Sequence, residues 1–237
     1  MENRVFYSIM LERIIVGALY VNCYVYFTAR KECILIDPGG DAPAILKTLA
    51  SLNMSPKAMV FTHGHLDHIA AAGEIRDFYK AQEAAVSLAV HKADSAYFGK
   101  RAEEKHRQSF ASFGVDGAAL FESIFSDIPK ADIILQEEDS ADGFDLKVIH
   151  TPGHTKGSIC LYSEKKKILF TGDTLFCEGI GRSDLPGGDS KALTNSILKK
   201  LYVLPPETRI FPGHGPQSTL EREMNYNPYV RAVNSEK

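Results

Sequence analysis

The chain has 237 residues, of which 44% are hydrophobic and 24% are charged, and its formal net charge at pH 7 is −3. These fractions lie near globular averages and exclude disordered, collagen-like and coiled-coil proteins. The mild negative charge offers no electrostatic footprint for nucleic acid or an anionic membrane, and no apolar run reaches the roughly 18 residues of a membrane span. The first ten residues lack a signal-peptide h-region. We therefore expect a cytoplasmic protein, either a monomer or a homodimer.

Apolar runs separated by turn residues predict alternating strands and helices along the chain. The predicted strands cover residues 22–28, 33–36, 58–61, 86–90, 132–135, 145–149, 159–162, 168–170 and 209–211. Residues 29–32 are expected to join the first two strands. The second strand stops at the turn of residues 37–40, after which Asp41 is predicted to cap a helix. One predicted helix carries the apolar stripe of residues 45–52. The others cover residues 69–80, 190–202 and 219–226.

Residues 92–130 differ from the rest of the chain, because they are charged and carry scattered aromatic residues. We predict two or three helices in this segment, broken at residues 114–117. Two roles are open for it. Its phenylalanines could form an apolar wall over a site, or they could be the inward stripe of packed helices or a dimer contact. The expected organisation is one domain over residues 1–237 with this helical insertion at about 92–130.

The cysteines are far apart in the sequence and form no C-x-x-C pair. We expect small buried residues in a reducing compartment and no cysteine nucleophile, although one of them follows a loop near the predicted site. The cysteines are Cys23, Cys33, Cys160 and, after that loop, Cys177. Three histidines, namely His91, His106 and His150, belong to no ligand pattern. We interpret them as structural residues, with His150 a neighbour of the site.

Four apolar runs each end in a turn of small residues that carries a histidine or an aspartate. The first turn is His63-Gly64-His65-Leu66-Asp67-His68, and the other three carry His154, Asp173 and His214. In sheets built from strands and helices, ligands gather at the carboxyl ends of strands, because the loops that leave neighbouring strands converge there. We therefore expect all four turns to meet at one site.

Four ligating side chains within six residues cannot easily all bind one ion, so the pattern predicts two adjacent metals. The first metal would be bound by His63, His65 and His154. The second would be bound by Asp67, His68 and His214, and Asp173 would bridge the two. Imidazole and carboxylate donors without thiolate suit two divalent ions, with zinc as the first candidate and iron or manganese as alternatives. Two such ions about 3.5–4 Å apart can share a water and ionise it near neutral pH.

Motifs along nearly the whole chain, from residue 14 to residue 229, resemble those of the metallo-β-lactamase fold superfamily. They are Thr62-His63-Gly64-His65-Leu66-Asp67-His68, Thr151-Pro152-Gly153-His154-Thr155, Thr171-Gly172-Asp173 and Pro212-Gly213-His214-Gly215. The resemblance implies an α+β fold, an αββα sandwich of two mixed sheets flanked by helices with the metals at one edge. The segment of residues 181–189 most resembles the hydroxyacylglutathione hydrolases (glyoxalase II) and their short bacterial relatives.

This resemblance implies hydrolysis of a small, acidic thioester. Asp67 would bind a metal and orient the nucleophile, Asp173 would bridge the metals, and Arg182 would meet an acidic substrate tail or pair with Asp184 to hold its loop. Two departures bear on glutathione as the substrate. The chain stops soon after Pro228, without the C-terminal helical domain of the longer enzymes, and Ser183-Asp184 stands where those enzymes carry aromatic residues.

Two other functions are compatible with the sequence. A mononuclear iron persulfide dioxygenase of the same fold would use His63, His154 and Asp173 as a two-histidine, one-carboxylate triad. A non-catalytic metal-binding module is the other reading. Asp67 argues against the zinc β-lactamases that lack this acidic set, and His65, where a glutamate would be needed, argues against the flavin-linked di-iron oxygen reductases.

Overall fold

The computed structural model describes residues 11–27, 32–141 and 144–231. The strands of its first sheet are β1 (Leu11–Val16), β2 (Val21–Phe27), β3 (Glu32–Ile36), β4 (Ser55–Val60), β5 (Ser87–His91) and β6 (Ile133–Leu135). They lie side by side in chain order. The pairs β1–β2 and β2–β3 are antiparallel, whereas β3 to β6 run parallel to one another. The carboxyl ends of these parallel strands therefore share one edge of the sheet.

The second sheet has the strand order β13-β12-β9-β8-β7. Its strands are β7 (Lys147–His150), β8 (Ile159–Ser163), β9 (Ile168–Gly172), β12 (Arg209–Pro212) and β13 (Ser218–Thr219), and a small hairpin consists of β10 (Leu175–Phe176) and β11 (Gly179–Ile180). β12 runs parallel to β9, and the other pairs are antiparallel. The loops after β9 and β12 thus leave the sheet at the same edge.

Helices lie between the strands in the chain. They are α1 (Ala42–Leu52), α2 (Leu66–Ile69), α3 (Ala72–Lys80), α4 (Ala102–Ala111), α5 (Gly114–Ile124), α6 (Ser190–Ser196) and α7 (Leu220–Tyr226). Two 3₁₀ turns (Lys92–Tyr97 and Gly99–Arg101) precede α4, and a π-helical turn (Ile197–Leu201) continues α6. No helix among the described residues is long and apolar enough to cross a membrane.

Three apolar clusters separate the helices and sheets into layers. The alternation of side chains along β3 shows how, because Cys33 and Leu35 pack on the helix side while Ile34 and Ile36 pack between the sheets. One cluster lies between the first sheet and helices α1, α3, α4 and α5, and another lies between the second sheet and helices α6 and α7. The fold is the predicted αββα sandwich of the metallo-β-lactamase type, with helices outside two facing sheets.

Every strand predicted from the sequence is present, and its described boundaries agree with the prediction to within three residues. Residues 28–31, which include most of the predicted turn at 29–32, lie outside the described residues. The predicted helix over 69–80 is divided into α2 and α3. Strand β1 and the short β10, β11 and β13 were not predicted. Each of the last three has only two residues, which are too few positions to show alternation.

One local prediction was confirmed only in position, and another was wrong. Asp41 stands at the N-cap position of α1, but its side chain makes no cap bond and accepts a hydrogen bond from the Gly17 amide at 2.8 Å. The predicted break at residues 114–117 is instead the first turn of α5, and the chain turns at Ser112 and Phe113. Gly117 therefore lies inside α5. Glycine is needed at this position, because a Cβ there would come within 2.3 Å of the Phe110 carbonyl oxygen.

Candidate metal centre

The loops that follow four strands bring the predicted ligands together at one edge of the sandwich. The loop after β4 carries His63 and His65, and the short helix α2 that follows it carries Asp67 and His68. The loops after β7, β9 and β12 carry His154, Asp173 and His214. Four of these residues come from the first sheet and three from the second. The site therefore lies across the junction of the two sheets.

Among the described residues, three groups of side chains have ligand atoms that lie within 4.8 Å of one another and could hold a metal. One of them, Asp37 with His63 and His68, takes its two histidines from the other two groups. Those two are a first group of His63, His65 and His154 and a second group of Asp67, His68 and His214. The Nε2 atoms of His63 and His154 are 3.2 Å apart, and those of His68 and His214 are 3.3 Å apart. These groups are the two ligand sets that the sequence pattern predicts.

Asp173 lies between the two groups. Its Oδ2 is 3.6 Å from Nε2 of His154 and 3.7 Å from Nε2 of His214, which belong to different groups. Its Oδ1 is buried without a hydrogen-bond partner among the described residues, although it lies 3.5 Å from His68 Nε2. Buried carboxylate oxygens are normally paired, so an unpaired oxygen among imidazoles fits the bridging ligand of two cations. Gly213 permits this approach, because a Cβ there would lie 2.4 Å from that oxygen.

Asp37 orients one histidine of each group. Its carboxylate accepts hydrogen bonds from the Thr62 amide (2.7 Å), the Thr62 hydroxyl (2.6 Å) and Nδ1 of His68 (3.0 Å). Since the Thr62 hydroxyl has donated its proton, it accepts from Nδ1 of His63 at 3.1 Å. Both histidines therefore carry their proton on Nδ1, which leaves Nε2 of each free to bind a metal.

The third ligand with an assigned tautomer is His154. Its Nδ1 donates to the Arg182 carbonyl oxygen at 2.7 Å, so its Nε2 also carries a lone pair. Two facing nitrogen lone pairs 3.2 Å apart, on His63 and His154, would repel each other without a cation between them. The donor chemistry of the first group thus fits a divalent metal.

Burial and mutual repulsion set the pKa values of the first group. Burial lowers the pKa of His63 well below its usual range, and the neighbouring His68 and His154 lower it further. The pKa of His65 is lowered in the same way, first by burial and then by His154. Neutral imidazole is the form that binds metals, so these histidines are poised as ligands rather than as cations.

The second group has the opposite electrostatic character. Burial opposes charge on His68, but Asp173, Asp67 and Asp37 outweigh it and raise the pKa of this histidine to about 10. Burial likewise opposes charge on Asp67, but His68 and the hydrogen bond from His214 outweigh it and lower the pKa of the carboxyl. Three carboxylates around one buried imidazole require a positive charge, which either a proton or a metal ion can provide.

Asp94 joins the two loops that carry the first ligand group. It lies in the 3₁₀ turn after β5, is buried, and accepts hydrogen bonds from the amides of Gly64 and Gly157, both at 2.8 Å. It also accepts from the Thr155 hydroxyl at 2.6 Å. Neither Asp37 nor Asp94 was predicted as a site residue. Asp37 carried only a turn signal, and Asp94 carried none.

A cavity of about 470 Å³ borders the two ligand groups. Its lining includes His65, Asp67, His154, Asp173 and His214 on one side and leucine and phenylalanine side chains on the other. The insertion of residues 92–130 has both of the roles left open above, because some of its phenylalanines form a wall of the cavity and others pack in the core. Phe110 and Phe113 line this cavity, whereas Phe98 and Phe121 are buried in the core beneath the first sheet.

Arg182 lines the same cavity, where the sequence suggested a substrate contact or a structural pair. Its guanidinium makes a bidentate pair with Asp184, with Nε to Oδ1 at 2.8 Å and Nη2 to Oδ2 at 2.7 Å. The same group lies 5.1 Å from the centre of the Phe113 ring. The guanidinium is thus already paired, and its main chain orients His154.

The remaining histidines and cysteines lie outside both ligand groups. His91 stacks on His150 with ring centres 4.0 Å apart, and His106 lines the cavity while its Nε2 donates to the Tyr97 carbonyl oxygen. Cys23, Cys33 and Cys160 are buried free thiols, as predicted, and Cys177 is partly exposed. Burial raises the pKa of Cys33 and Cys160 to about 12, so these thiols stay protonated.

Comparison with known proteins identifies the class to which this fold and site belong. The family model described as the metallo-beta-lactamase superfamily matches residues 16–214. The chain therefore belongs to the metallo-β-lactamase superfamily, whose members include metal-dependent hydrolases, and the family fold implies divalent metal ions at this site.

Two individual relatives are similar to this chain over almost its whole length. The chain is 33% identical over 222 residues to hydroxyacylglutathione hydrolase GloC of Haemophilus influenzae, covering 94% of this chain and 98% of that protein. It is 29% identical to the probable metallo-hydrolase YqgX of Bacillus subtilis, covering 92% of this chain and 96% of that protein.

Two solved structures share this fold over almost their whole length. The B3 metallo-β-lactamase BLEG-1 superimposes with a TM-score of 0.80 at 34% identity, covering 93% of this chain and 99% of that chain. TTHA1623, solved in a di-iron-bound form, superimposes with a TM-score of 0.75 at 32% identity, covering 92% of this chain and 100% of that chain.

Proposed function

We propose that the protein is a dinuclear metal-dependent hydrolase that cleaves a thioester. The observation that carries the proposal is the position of Asp173, whose carboxylate approaches histidines of both ligand groups within 3.7 Å. The similarity to hydroxyacylglutathione hydrolase GloC supports a thioester as the substrate. Zinc is the first candidate metal, and the di-iron form of TTHA1623 supports iron as the alternative.

The proposed ligands are the seven residues of the two groups and their bridge. His63, His65 and His154 would hold one ion, Asp67, His68 and His214 would hold the other, and Asp173 would contact both. When bound, the two ions would supply an ionised water as nucleophile and a Lewis acid for the carbonyl oxygen. Asp37 keeps Nε2 of His63 and His68 available for them.

The side chains of this site account for the remaining parts of the reaction. Hydrolysis forms a carbon–oxygen bond, breaks the carbon–sulfur bond and releases a carboxylate and a thiol. Asp67 has a lowered pKa and stays ionised, so it can accept a hydrogen bond that orients the attacking water. The thiolate leaves with the electron pair and needs no protein acid, because thiols have a pKa of about 8.5.

The test is metal analysis combined with a panel of substrates on the purified protein. We expect two divalent ions per chain and turnover of S-D-lactoylglutathione or of a neutral thioester. One ferrous ion with oxygen uptake on a persulfide would support the dioxygenase instead. Because BLEG-1 is a B3 metallo-β-lactamase, a β-lactam belongs in the panel, and a higher kcat/KM for it than for every thioester would overturn the proposal.

The variant Asp67→Ala tests the ligand assignment. We expect it to lose at least one metal ion and at least 100-fold in kcat, since both a ligand and an orienting acceptor are removed. Asp77→Ala, at an exposed position of α3, is the matched control and should retain both ions and full turnover. Near-normal turnover in Asp67→Ala would refute the role given to this carboxylate.

A further inference from the structure

The cavity beside the metal centre has a second wall that is apolar. This wall comes from three separate segments: the turn between β1 and β2, the helices α4 and α5, and the loop that contains Arg182. The apolar side chains are Leu19 from the turn, Phe110, Phe113 and Leu120 from the two helices and the segment joining them, and Leu185 from the loop. None of them belongs to the proposed catalytic machinery, yet all five converge on one cavity.

Part of this apolar wall is open to solvent. Phe113 is 44% exposed and Leu19 is 39% exposed, whereas Phe121 of the same helical insertion is only 1% exposed. Arg182 packs its guanidinium over the Phe113 ring, so this side chain has a defined neighbour at the edge of the cavity. Exposed apolar surface that lines a concave site indicates a ligand whose binding removes it from water.

The charges of the cavity point to the same kind of ligand. Among the described residues that line it, Arg182 is the only lysine or arginine. Its guanidinium is already bidentate with Asp184 at 2.7 and 2.8 Å. A carboxylate inserted into the apolar part of the cavity would lose its hydration without gaining an unpaired cation, which is costly. An uncharged group has no charge to desolvate, so its binding there would not carry this cost.

We propose that the apolar wall binds the hydrocarbon acyl group of the thioester, with the reacting carbonyl at the ligand groups and the thiol part on the solvent side. This inference rests on the proposed function and specifies its substrate class: thioesters of medium-length or aromatic acyl groups without a charge. The products are the corresponding carboxylate and the free thiol. The cavity of about 470 Å³ lies within the usual size range of small-molecule sites.

The first experiment varies the acyl group at constant thiol. The metal-loaded enzyme is assayed with acetyl, butanoyl and hexanoyl thioesters of N-acetylcysteamine, and with the same acyl groups on glutathione. We expect kcat/KM to rise about fourfold for each methylene that the cavity buries, in parallel for both thiols. A flat or falling series would overturn the inference, and so would a preference that follows only the thiol.

Variants of the wall test whether these residues cause the preference. In Phe113→Ala we expect the ratio of hexanoyl to acetyl kcat/KM to fall at least fivefold, because the buried contact of the longer chain is lost. Leu19→Ala removes the part of the wall that the turn between β1 and β2 contributes, and it should lower the same ratio. The matched control is Phe78→Ala, whose ring is 46% exposed and lies outside this cavity, and its ratio should equal that of the wild type.

The outcomes separate this inference from the proposed function. If the metal-loaded wild type hydrolyses no thioester of either thiol, the proposed function fails and this inference fails with it. If thioesters are hydrolysed without an acyl preference, or if Phe113→Ala and Leu19→Ala keep the wild-type ratio, the proposed function stands and this inference is overturned. Thermal unfolding of each variant shows whether it is folded at the assay temperature.

Discussion

Asp37 is the residue with the widest influence on the candidate metal centre, although it is not a member of the two ligand groups that Asp173 joins. Its two oxygens accept three hydrogen bonds. They fix the proton position of His68 directly and that of His63 through the Thr62 hydroxyl. One histidine belongs to each group, so a single carboxylate controls donor atoms in both groups. Groups that hydrogen-bond to metal-binding histidines commonly change metal affinity by 10- to 100-fold when they are removed.

The variant Asp37→Asn tests this control. If its amide oxygen keeps the bond from the Thr62 amide, its NH₂ group faces the Thr62 hydroxyl and His68 Nδ1 and donates to both. That arrangement moves the histidine protons to Nε2, so we expect a 10- to 100-fold loss of affinity for both metals, measured by titration against a chelator. Asp41→Asn, in the same loop but exposed, is the control and should bind as the wild type does. Unchanged affinity in Asp37→Asn would contradict the tautomer assignment.

Helices α4 and α5 pack against the first sheet and also form part of the cavity wall. Phe121 is buried against Phe110 and Phe125, with ring centres 5.9 and 4.9 Å away, and anchors the pair to the first sheet. Phe113, at the turn between the helices, points its ring at Arg182 and the cavity. The buried contacts hold the helices in place, and the turn that they position then forms part of the apolar wall.

The anchoring contact predicts a large effect on stability. Phe121→Ala removes a fully buried aromatic ring, and truncations of this kind cost about 3–5 kcal/mol of the free energy of unfolding. Val115→Ala, at a position of α5 that is 87% exposed, is the control and should change it by less than about 0.5 kcal/mol. Urea denaturation measures both. A cost below about 1 kcal/mol for Phe121→Ala would mean that the helices are not held by this ring.

At the scale of the whole molecule, the ligand groups link the two sheets. His63 and His65 follow a strand of the first sheet and His154 follows a strand of the second, yet their ligand atoms lie within 4.8 Å. The same is true of the second group, because His214 follows β12. Metals bound there would act as cross-links between the halves of the sandwich.

Metal removal should therefore destabilise the folded protein. A ligand that binds only the folded state stabilises it by about 4 kcal/mol when its concentration is a thousand times Kd. We expect the Tm to fall on treatment with a chelator and to recover when zinc is restored. Because each group joins residues of both sheets, the Tm should decrease further with the removal of each ion. An unchanged Tm after the removal of bound metal would contradict this view.

A second contact between the sheets should make stability depend on pH. His91 at the end of β5 stacks on His150 at the end of β7, and burial, followed by the nearby His150, lowers the pKa of His91 to about 4. Between pH 6.5 and 4 the unfolded chain binds more protons at this residue than the folded chain does. The stabilising contribution of neutral His91 is therefore complete above about pH 6.5 and is lost as the pH falls through that window.

The variant His91→Gln measures this contribution. In metal-free protein, we expect the free energy of unfolding of the wild type to fall between pH 7 and 4.5 by on the order of 2 kcal/mol more than that of the variant. Both proteins share every other titrating group, so the difference isolates this residue. Equal slopes against pH would show that His91 is not held neutral by its surroundings.

Local patterns in the amino-acid sequence were enough to predict the layers of the sandwich and the residues that meet at its edge. Apolar runs that end in histidine- or aspartate-bearing turns locate strand ends, and the carboxyl ends of parallel strands share one edge, so the convergence of residues as far apart as His63 and His214 was predictable. The family motifs then predicted the fold, which the structure confirms. Both signals are local in sequence, which is why they can be read without coordinates.

Contacts between distant parts of the chain could not be predicted without the three-dimensional fold. Asp94 accepts from Gly64 and Gly157, which are 30 and 63 residues away, and no local pattern encodes such partners. The sequence shows which residues of the insertion are phenylalanine. It does not indicate whether a ring faces the core, as Phe121 does, or a cavity, as Phe113 does. The physical reason is that a side chain's role depends on what the rest of the fold brings against it, and that is settled when the two sheets and their helices pack.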